Sequence, residues 1–155
     1  MGCVGERFVD MSEEEMLHTL EEHHRTIRAG IDEVRSFCEA ASPSSEELGA
    51  ARSRLSEASL ARSKFVSEEV LPRLLEDADA DLRFDLLKLV SVFAAMRQLS
   101  NEHVAKWTLL TIEQDWAGYC AAAKVIWAMM ENQLDSERQY LAARLNIGSE
   151  TVTVD

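Results

Sequence analysis

The sequence predicts an all-α protein, specifically an antiparallel up-down-up-down four-helix bundle. Glycine and proline are scarce among the 155 residues, at six and two, so the chain has little punctuation for many short strands. Apolar residues recur at alternating steps of three and four positions along four long segments, which is the spacing of one buried helix face. The segments are joined by turns of a few residues, and short turns make consecutive helices antiparallel.

The first helix is predicted to begin at Ser12, because Ser12 and Glu15 have the spacing of a capping box. Its apolar seam contains one histidine, His24, which follows His23 in the stretch "LEEHHRTIR". Pro43, in "ASPSSEE", ends the helix and begins the first turn. The predicted seam consists of Leu17, Leu20, His24, Ile27, Ile31, Val34 and Cys38.

The second helix, about residues 45–77, keeps the same spacing but carries charged residues in its seam. Arg62 and Glu69 both occupy seam positions, so the sequence predicts that they point inward. Pro72 lies inside the pattern and is expected to kink the helix or loosen its last turns, because proline lacks a backbone N–H. The predicted seam consists of Leu48, Ala51, Leu55, Ala58, Arg62, Phe65 and Glu69.

The third helix is predicted to run without a break over about residues 79–108, because its register passes straight through "LSNEH". Its seam consists of Leu82, Leu86, Leu89, Phe93, Met96, Ser100, His103 and Trp107.

The fourth helix is predicted to begin near Thr111, with Gln114 completing a capping box. Trp127 falls outside its seam, so we expect Trp127 to mark a surface for a protein partner or a homodimer. The predicted seam consists of Ile112, Trp116, Tyr119, Ala123, Ile126, Met130, Gln133, Glu137 and Tyr140.

These segments place a single bundle domain at residues 12–146. Residues 1–11 are expected to form an N-terminal extension, and residues 147–155 are expected to form a loosely ordered C-terminal tail. A chain of this length can enclose a substantial core in one domain.

The formal net charge of −12 argues against binding nucleic acid through its phosphates, because nothing supplies a basic stripe. An anionic membrane surface is disfavoured for the same reason. No apolar run approaches the roughly 18 residues that a membrane-spanning helix requires. Cys3, Cys38 and Cys120 form no closely spaced pair, and no secretory signal pattern is present, which predicts reduced thiols in a cytoplasmic protein.

Five polar seam residues are expected at similar heights in the bundle. Counted along each helix at about 1.5 Å per residue, they fall within a band of roughly 10 Å. His24, rather than His23, is predicted to point inward, where it meets carboxylates. The predicted polar layer consists of His24, Arg62, Glu69, Gln133 and Glu137.

The placement of these residues resembles the ground plan of hemerythrin-like domains, over about residues 12–146. His24, in "EEHHRTIR", is similar to the first-helix ligand of that family, and Glu137, in "QLDSERQYL", is similar to its fourth-helix carboxylate. Gln133 stands where the family has a histidine, the second-helix string "ARSKFVSEEVLP" contains no histidine, and His103 lies near the opposite end. The resemblance therefore implies the family's four-helix fold with a degenerate di-iron site.

Three interpretations of the predicted polar layer are open. In the first, the cations Arg62 and His24 neutralise the two carboxylates in a buried network without metal. In the second, the helix phase drifts and some of these groups reach solvent, which Pro72 favours for Glu69. In the third, His24, Glu69 and Glu137 hold iron, manganese or zinc. The charge of Arg62 would oppose a divalent ion in such a site.

The sequence thus predicts a non-catalytic binding or regulatory module that has lost its di-iron chemistry and uses no cofactor. The alternative is a metal-binding protein of the hemerythrin type, in which a reduced ligand set holds iron or another divalent metal. For that alternative, the resemblance implies oxygen or nitric oxide binding or sensing, or an oxidoreductase activity.

Overall fold

A computed structural model describes residues 11–145, and this part of the chain is helical and contains no strand, which confirms the all-α class there. The predicted N-terminal extension, apart from Met11, and the predicted C-terminal tail lie outside the described residues. The helices are α1 (Glu13–Phe37), α2 (Ser45–Phe65), α3 (Leu71–Glu76), α4 (Ala80–Lys106), α5 (Leu109–Gln114) and α6 (Trp116–Leu145), with a π-helical turn at Val66–Val70 between α2 and α3.

Helix α1 begins as the sequence predicts. The Ser12 hydroxyl accepts a hydrogen bond from the Glu15 N–H, and the Glu15 carboxylate accepts one from the Ser12 N–H, so the capping box is confirmed. The buried face of α1 starts at Met16, while the predicted seam residue Leu17 is half-buried. From there the buried positions agree with the predicted seam and include Leu20, His24, Ile27, Ile31 and Val34.

The π-helical turn changes the buried face of the second segment. The Leu71 N–H bonds to the Val66 carbonyl five residues back, so this turn contains one residue more than an α-helical turn. Val70 is consequently buried in place of Glu69. Val66, an ordinary α-helical step of four from Arg62, is buried in place of Phe65 before the extra residue. Pro72 follows directly and has no N–H to donate, which is a physical reason for the regular ladder to change here.

Helix α4 is continuous through "LSNEH", as predicted, and begins where the Asp79 side chain caps the Leu82 N–H. It is weakly engaged in the core, because Leu86 is its one fully buried residue. The inward residues Phe93 and Met96 are only half-buried. Its outer surface carries large apolar side chains that are exposed, namely Phe84, Leu87, Val90, Val92, Leu99 and Val104.

The start of the fourth predicted helix is wrong in detail. Thr108, not Thr111, provides the cap, because its hydroxyl accepts from the Thr111 N–H to begin the short helix α5. Asp115 then interrupts the helix, and its side chain accepts from the Gly118 N–H at the start of α6.

The helices pack in a simple pattern. Helix α1 lies against α2 and α6, whereas α4 lies against α6 and the short helix α3. None of the helices in residues 11–145 combines the length and the apolar character that crossing a membrane requires.

The π-helical turn generates a prediction about deletions in the second segment. Deleting the exposed residue Ser67 should remove the extra residue and leave Val70 in its buried position, so the free energy of unfolding should fall by no more than about 3 kcal/mol, the cost of Pro72 inside a regular helix. Deleting the exposed residue Ser53, the control, should rotate the helix and expel several buried side chains, at about 1.5–3 kcal/mol for each. Urea denaturation measures both, and equal losses would contradict the assignment of an extra residue to this turn.

Candidate functional site

Three charged or titratable side chains form a buried layer across the protein, which we call the charged layer: His24 of α1, Arg62 of α2 and Glu137 of α6. Glu137 has 0% of its surface exposed, and His24 and Arg62 have 4% and 8%. The layer separates two apolar clusters. On each of the three helices, the buried residue on one side of the layer belongs to the first cluster. These residues are Ile27, Leu55 and Leu134. The neighbours on the other side belong to the second cluster, namely Leu20, Val66 and Leu141.

The Glu137 carboxylate is bound by two other helices at once. Its Oε1 lies 2.6 Å from Nε2 of His24, and its Oε2 accepts a hydrogen bond of 3.0 Å from Nη1 of Arg62. Hydrogen bonds with an ionised partner are shorter and stronger than neutral ones. The charged layer therefore links α1, α2 and α6 through a single side chain.

The charges of the layer balance when the His24 imidazole is neutral, because Arg62 then compensates Glu137 alone. In that state Nε2 carries the ring proton and donates a hydrogen bond to the carboxylate. The other ring nitrogen, Nδ1, has no hydrogen-bond partner among the described residues. In the neutral ring Nδ1 carries a lone pair and no hydrogen, so every buried N–H of His24 has an acceptor. The geometry therefore suits the neutral ring.

Two predicted members do not join the charged layer. Glu69 is exposed, so its assignment to the polar layer and to a metal site is wrong; the extra residue of the π-helical turn places Val70 inward instead. Gln133 is half-buried and lines a neighbouring cavity, and within the described residues no hydrogen bond joins it to the layer.

The residues of the layer do not fit an iron site. Both carboxylate oxygens of Glu137 are already engaged, one of them by a guanidinium group that repels a divalent cation. Across residues 11–145, no three or more His, Cys, Asp or Glu side chains are grouped so as to hold a metal ion. The predicted ligand set of His24, Glu69 and Glu137 is not assembled, because Glu69 faces solvent.

Trp127 is buried, with 3% of its surface exposed, so the prediction that it marks a partner surface is wrong. It packs in the apolar cluster beside Leu134, and the Arg35 guanidinium covers its ring at 5.7 Å from the centroid. Buried positions of α6 advance from Tyr119 to Ala123 to Trp127, whereas the predicted seam stepped to Ile126. The apparent absence of Trp127 from the seam was therefore a phase error.

A cavity of about 160 Å³ lies between α2 and α4, and no pattern in the sequence indicates it. Its floor is formed by buried side chains of α1 and α6, such as Ile27 and Trp127. Half-buried residues of α4 form one wall. The exposed lining residues mark its mouth, and they are Ser56 and Leu60 of α2 with Arg97, Asn101 and Val104 of α4.

The cavity lining is electropositive although the chain has a net charge of −12. Three arginines line it, Arg52, Arg62 and Arg97, and no aspartate or glutamate does. Arg52 Cζ lies 5.5 Å from the ring centroid of Tyr119, and the His103 ring stacks on the same tyrosine at 5.8 Å. Burial, followed by the charge of Arg52, lowers the pKa of His103 below 6.5.

The Cys38 thiol at this end of the protein is not activated. Cys38 and Cys120 are free. Burial, with a hydrogen bond from the Cys38 thiol to Cys120, raises the pKa of Cys38 to about 12. A thiol is nucleophilic only as a thiolate, so this environment does not favour cysteine catalysis at neutral pH. Burial likewise raises the pKa of Tyr119 to about 12.

No protein-family model, curated protein or solved structure matches this chain. The resemblance to hemerythrin-like domains therefore stays a prediction from the residues that suggest it.

The charged layer predicts a strong coupling between Arg62 and Glu137. Arg62→Met and Glu137→Met should each lower the free energy of unfolding by about 3–5 kcal/mol, because each leaves an unpaired charge in the core. The double variant should lose less than the sum of the two, as urea denaturation of all four proteins would measure. The exposed pair of Arg28 and Asp135 is the control, and the coupling energy from the same double-mutant cycle should be below about 1 kcal/mol. Additive losses at Arg62 and Glu137 would contradict the pairing.

The lowered pKa of His103 predicts a contribution to the pH dependence of stability. Below about pH 6.5 the unfolded chain binds a proton at this residue more readily than the folded chain, so stability falls as the pH falls. His103→Gln should remove this contribution. The stability of the variant minus that of the parent should therefore be more favourable at about pH 5.5 than at about pH 7.5. The exposed His18→Gln is the control. Parallel pH profiles for parent and His103→Gln, measured by urea denaturation, would contradict it.

Proposed function

We propose that this chain is a non-catalytic binding or regulatory module, in which a metal-free charged layer occupies the place of a di-iron site. The observation that carries the proposal is the hydrogen bond from Arg62 to Oε2 of Glu137. A guanidinium group supplies in that position the positive charge that a metal ion would otherwise supply to a buried carboxylate.

We propose also that the fold is an antiparallel up-down-up-down four-helix bundle of the hemerythrin-like type. Its four long segments are α1, α2 with its continuation through α3, α4, and α6. The contacts of α1 with α2 and α6, and of α4 with α6, agree with such a ring of helices. The short connections between consecutive segments agree with antiparallel neighbours.

A binding role agrees with the chemistry of the described residues better than a catalytic one. The thiol of Cys38 is held protonated, and the one fully buried carboxylate is paired on both oxygens. The cavity, by contrast, is a preformed concave surface with an apolar floor and a few polar groups, which is the usual character of a small-molecule site.

Elemental analysis tests the metal-free assignment. The purified protein should carry well under one equivalent of iron, manganese or zinc per chain. Added Fe(II) should leave the melting temperature unchanged, because a ligand that binds only the folded state must raise it. Glu137→Gln and the exposed control Glu69→Gln should have the same metal content. About one bound metal per chain, lost with Glu137→Gln and kept with Glu69→Gln, would overturn the proposal in favour of the metalloprotein alternative.

A further inference from the structure

The α2–α4 cavity contains a cation whose charge no neighbour in its lining offsets. The charge of Arg62 is already paired with Glu137, although its Nε has no hydrogen-bond partner among the described residues, and Arg97 is exposed at the mouth. Arg52 is different. It is partly buried, and its Nη2 has no hydrogen-bond partner among the described residues. A buried guanidinium N–H without an acceptor is costly, so it marks a position where an acceptor is expected.

The surroundings of Arg52 are polar on the side of the cavity mouth. Ser56 lies one helical turn further along α2, and Asn101 lies opposite on α4. His103 is close enough to Arg52 that the charge of Arg52 helps to lower its pKa. These groups can donate hydrogen bonds to an anion, and no carboxylate of the lining competes with it.

The remainder of the lining is apolar. Trp127 and Leu134 are fully buried in the floor, and Phe93, Met96 and Met130 are half-buried beside them. The volume of about 160 Å³ is similar to that of an apolar protein cavity of roughly 150 Å³ that accommodates benzene. A ligand that fits therefore has one charged end and an apolar body of ring or short-chain size.

We propose that the α2–α4 cavity binds a small organic carboxylate, whose carboxylate pairs with Arg52 and whose apolar body lies against Trp127 and Met130. The inference rests on the proposed binding function and names the chemical class of the ligand. The planar guanidinium group of Arg52 matches a carboxylate in two-point hydrogen bonding.

Three probes with the same alkyl chain and different head groups test the proposal by isothermal titration calorimetry on the unmodified protein. Octanoate should bind at one site per chain with a Kd below about 1 mM. Uncharged 1-octanol should bind about tenfold more weakly or worse, because it forms no charge-assisted hydrogen bond. Octylammonium should not bind, because its charge is repelled by the arginines. This comparison needs no variant, so it does not depend on how a substitution folds.

Arg52→Met then assigns the head-group contact. This variant keeps the unbranched stem and removes the guanidinium group, so its affinity for octanoate should fall to that of 1-octanol, and its affinity for 1-octanol should be unchanged. Arg54→Met is the matched control. Arg54 lies on the same helix, is exposed and pairs with Glu33, so octanoate binding should be as in the parent. Circular dichroism melting establishes that both variants are folded.

Several results would overturn the inference. They are no heat of octanoate binding at millimolar concentration, equal affinities for octanoate and 1-octanol, and equal octanoate affinities for Arg52→Met and Arg54→Met. A failure here is distinguishable from a failure of the proposed function. A protein that carries no metal and does not bind octanoate refutes the ligand class alone, whereas a metal bound through Glu137 refutes the proposed function whatever the probes do.

Discussion

The complete burial of the Glu137 carboxylate is the constraint on which the rest of the structure depends. Removing an ion from water costs several kcal/mol even after the protein relaxes, so an opposite charge and a further hydrogen-bond donor must reach it inside the core. They come from two other helices, as Arg62 from α2 and His24 from α1. Moving any of these helices by one turn, about 5.4 Å, would separate the partners and leave a charge unpaired. The layer therefore specifies one register among otherwise similar apolar packings.

This constraint also gives meaning to the π-helical turn. Arg62 must point inward to reach Glu137, and Val70 and Leu71 must point inward to complete the second apolar cluster. With regular α-helical steps from Arg62, the inward positions fall at Phe65 and Glu69. The helix instead takes a step of four from Arg62 to Val66, and the added residue after Val66 moves the next inward position from Glu69 to Val70, so a second carboxylate stays in water. The extra residue of the turn thus limits the buried layer to one negative charge.

The same residues show how much of the structure the sequence could predict. The start of α1, the continuity of α4 and the equal height of His24 and Glu137 follow from local spacing, and all three are present. The position of Glu69 could not be predicted, because a fixed step of three and four cannot register an inserted residue. The burial of Trp127 was not predicted, because the predicted seam kept a heptad period, whereas a straight helix drifts by about 20° per heptad.

The cavity was beyond sequence reasoning for a different reason. It arises from the distance between two helices, and apolar spacing indicates which face a residue occupies but not how closely that face is covered. Phe93 and Met96 hold the predicted inward positions of α4 and are nevertheless only half-buried, because they face the cavity. The sequence does not indicate that Arg52 is partly buried, since an arginine between seam positions normally lies in solvent.

The electropositive cavity and the acidic exterior act on a ligand at different distances. The net charge of −12 repels an approaching anion, but salt screens this repulsion beyond a Debye length of about 8 Å at physiological ionic strength. The guanidinium of Arg52 is screened much less, because it is partly buried. Its neighbours are Tyr119 and His103, and no carboxylate lines the cavity around it. For the proposed carboxylate, the outer charge therefore slows association, and the contact with Arg52 and the removal of apolar surface from water determine affinity. An acidic protein can in this way select an anion, because selection is decided inside the cavity, where the local charge is positive.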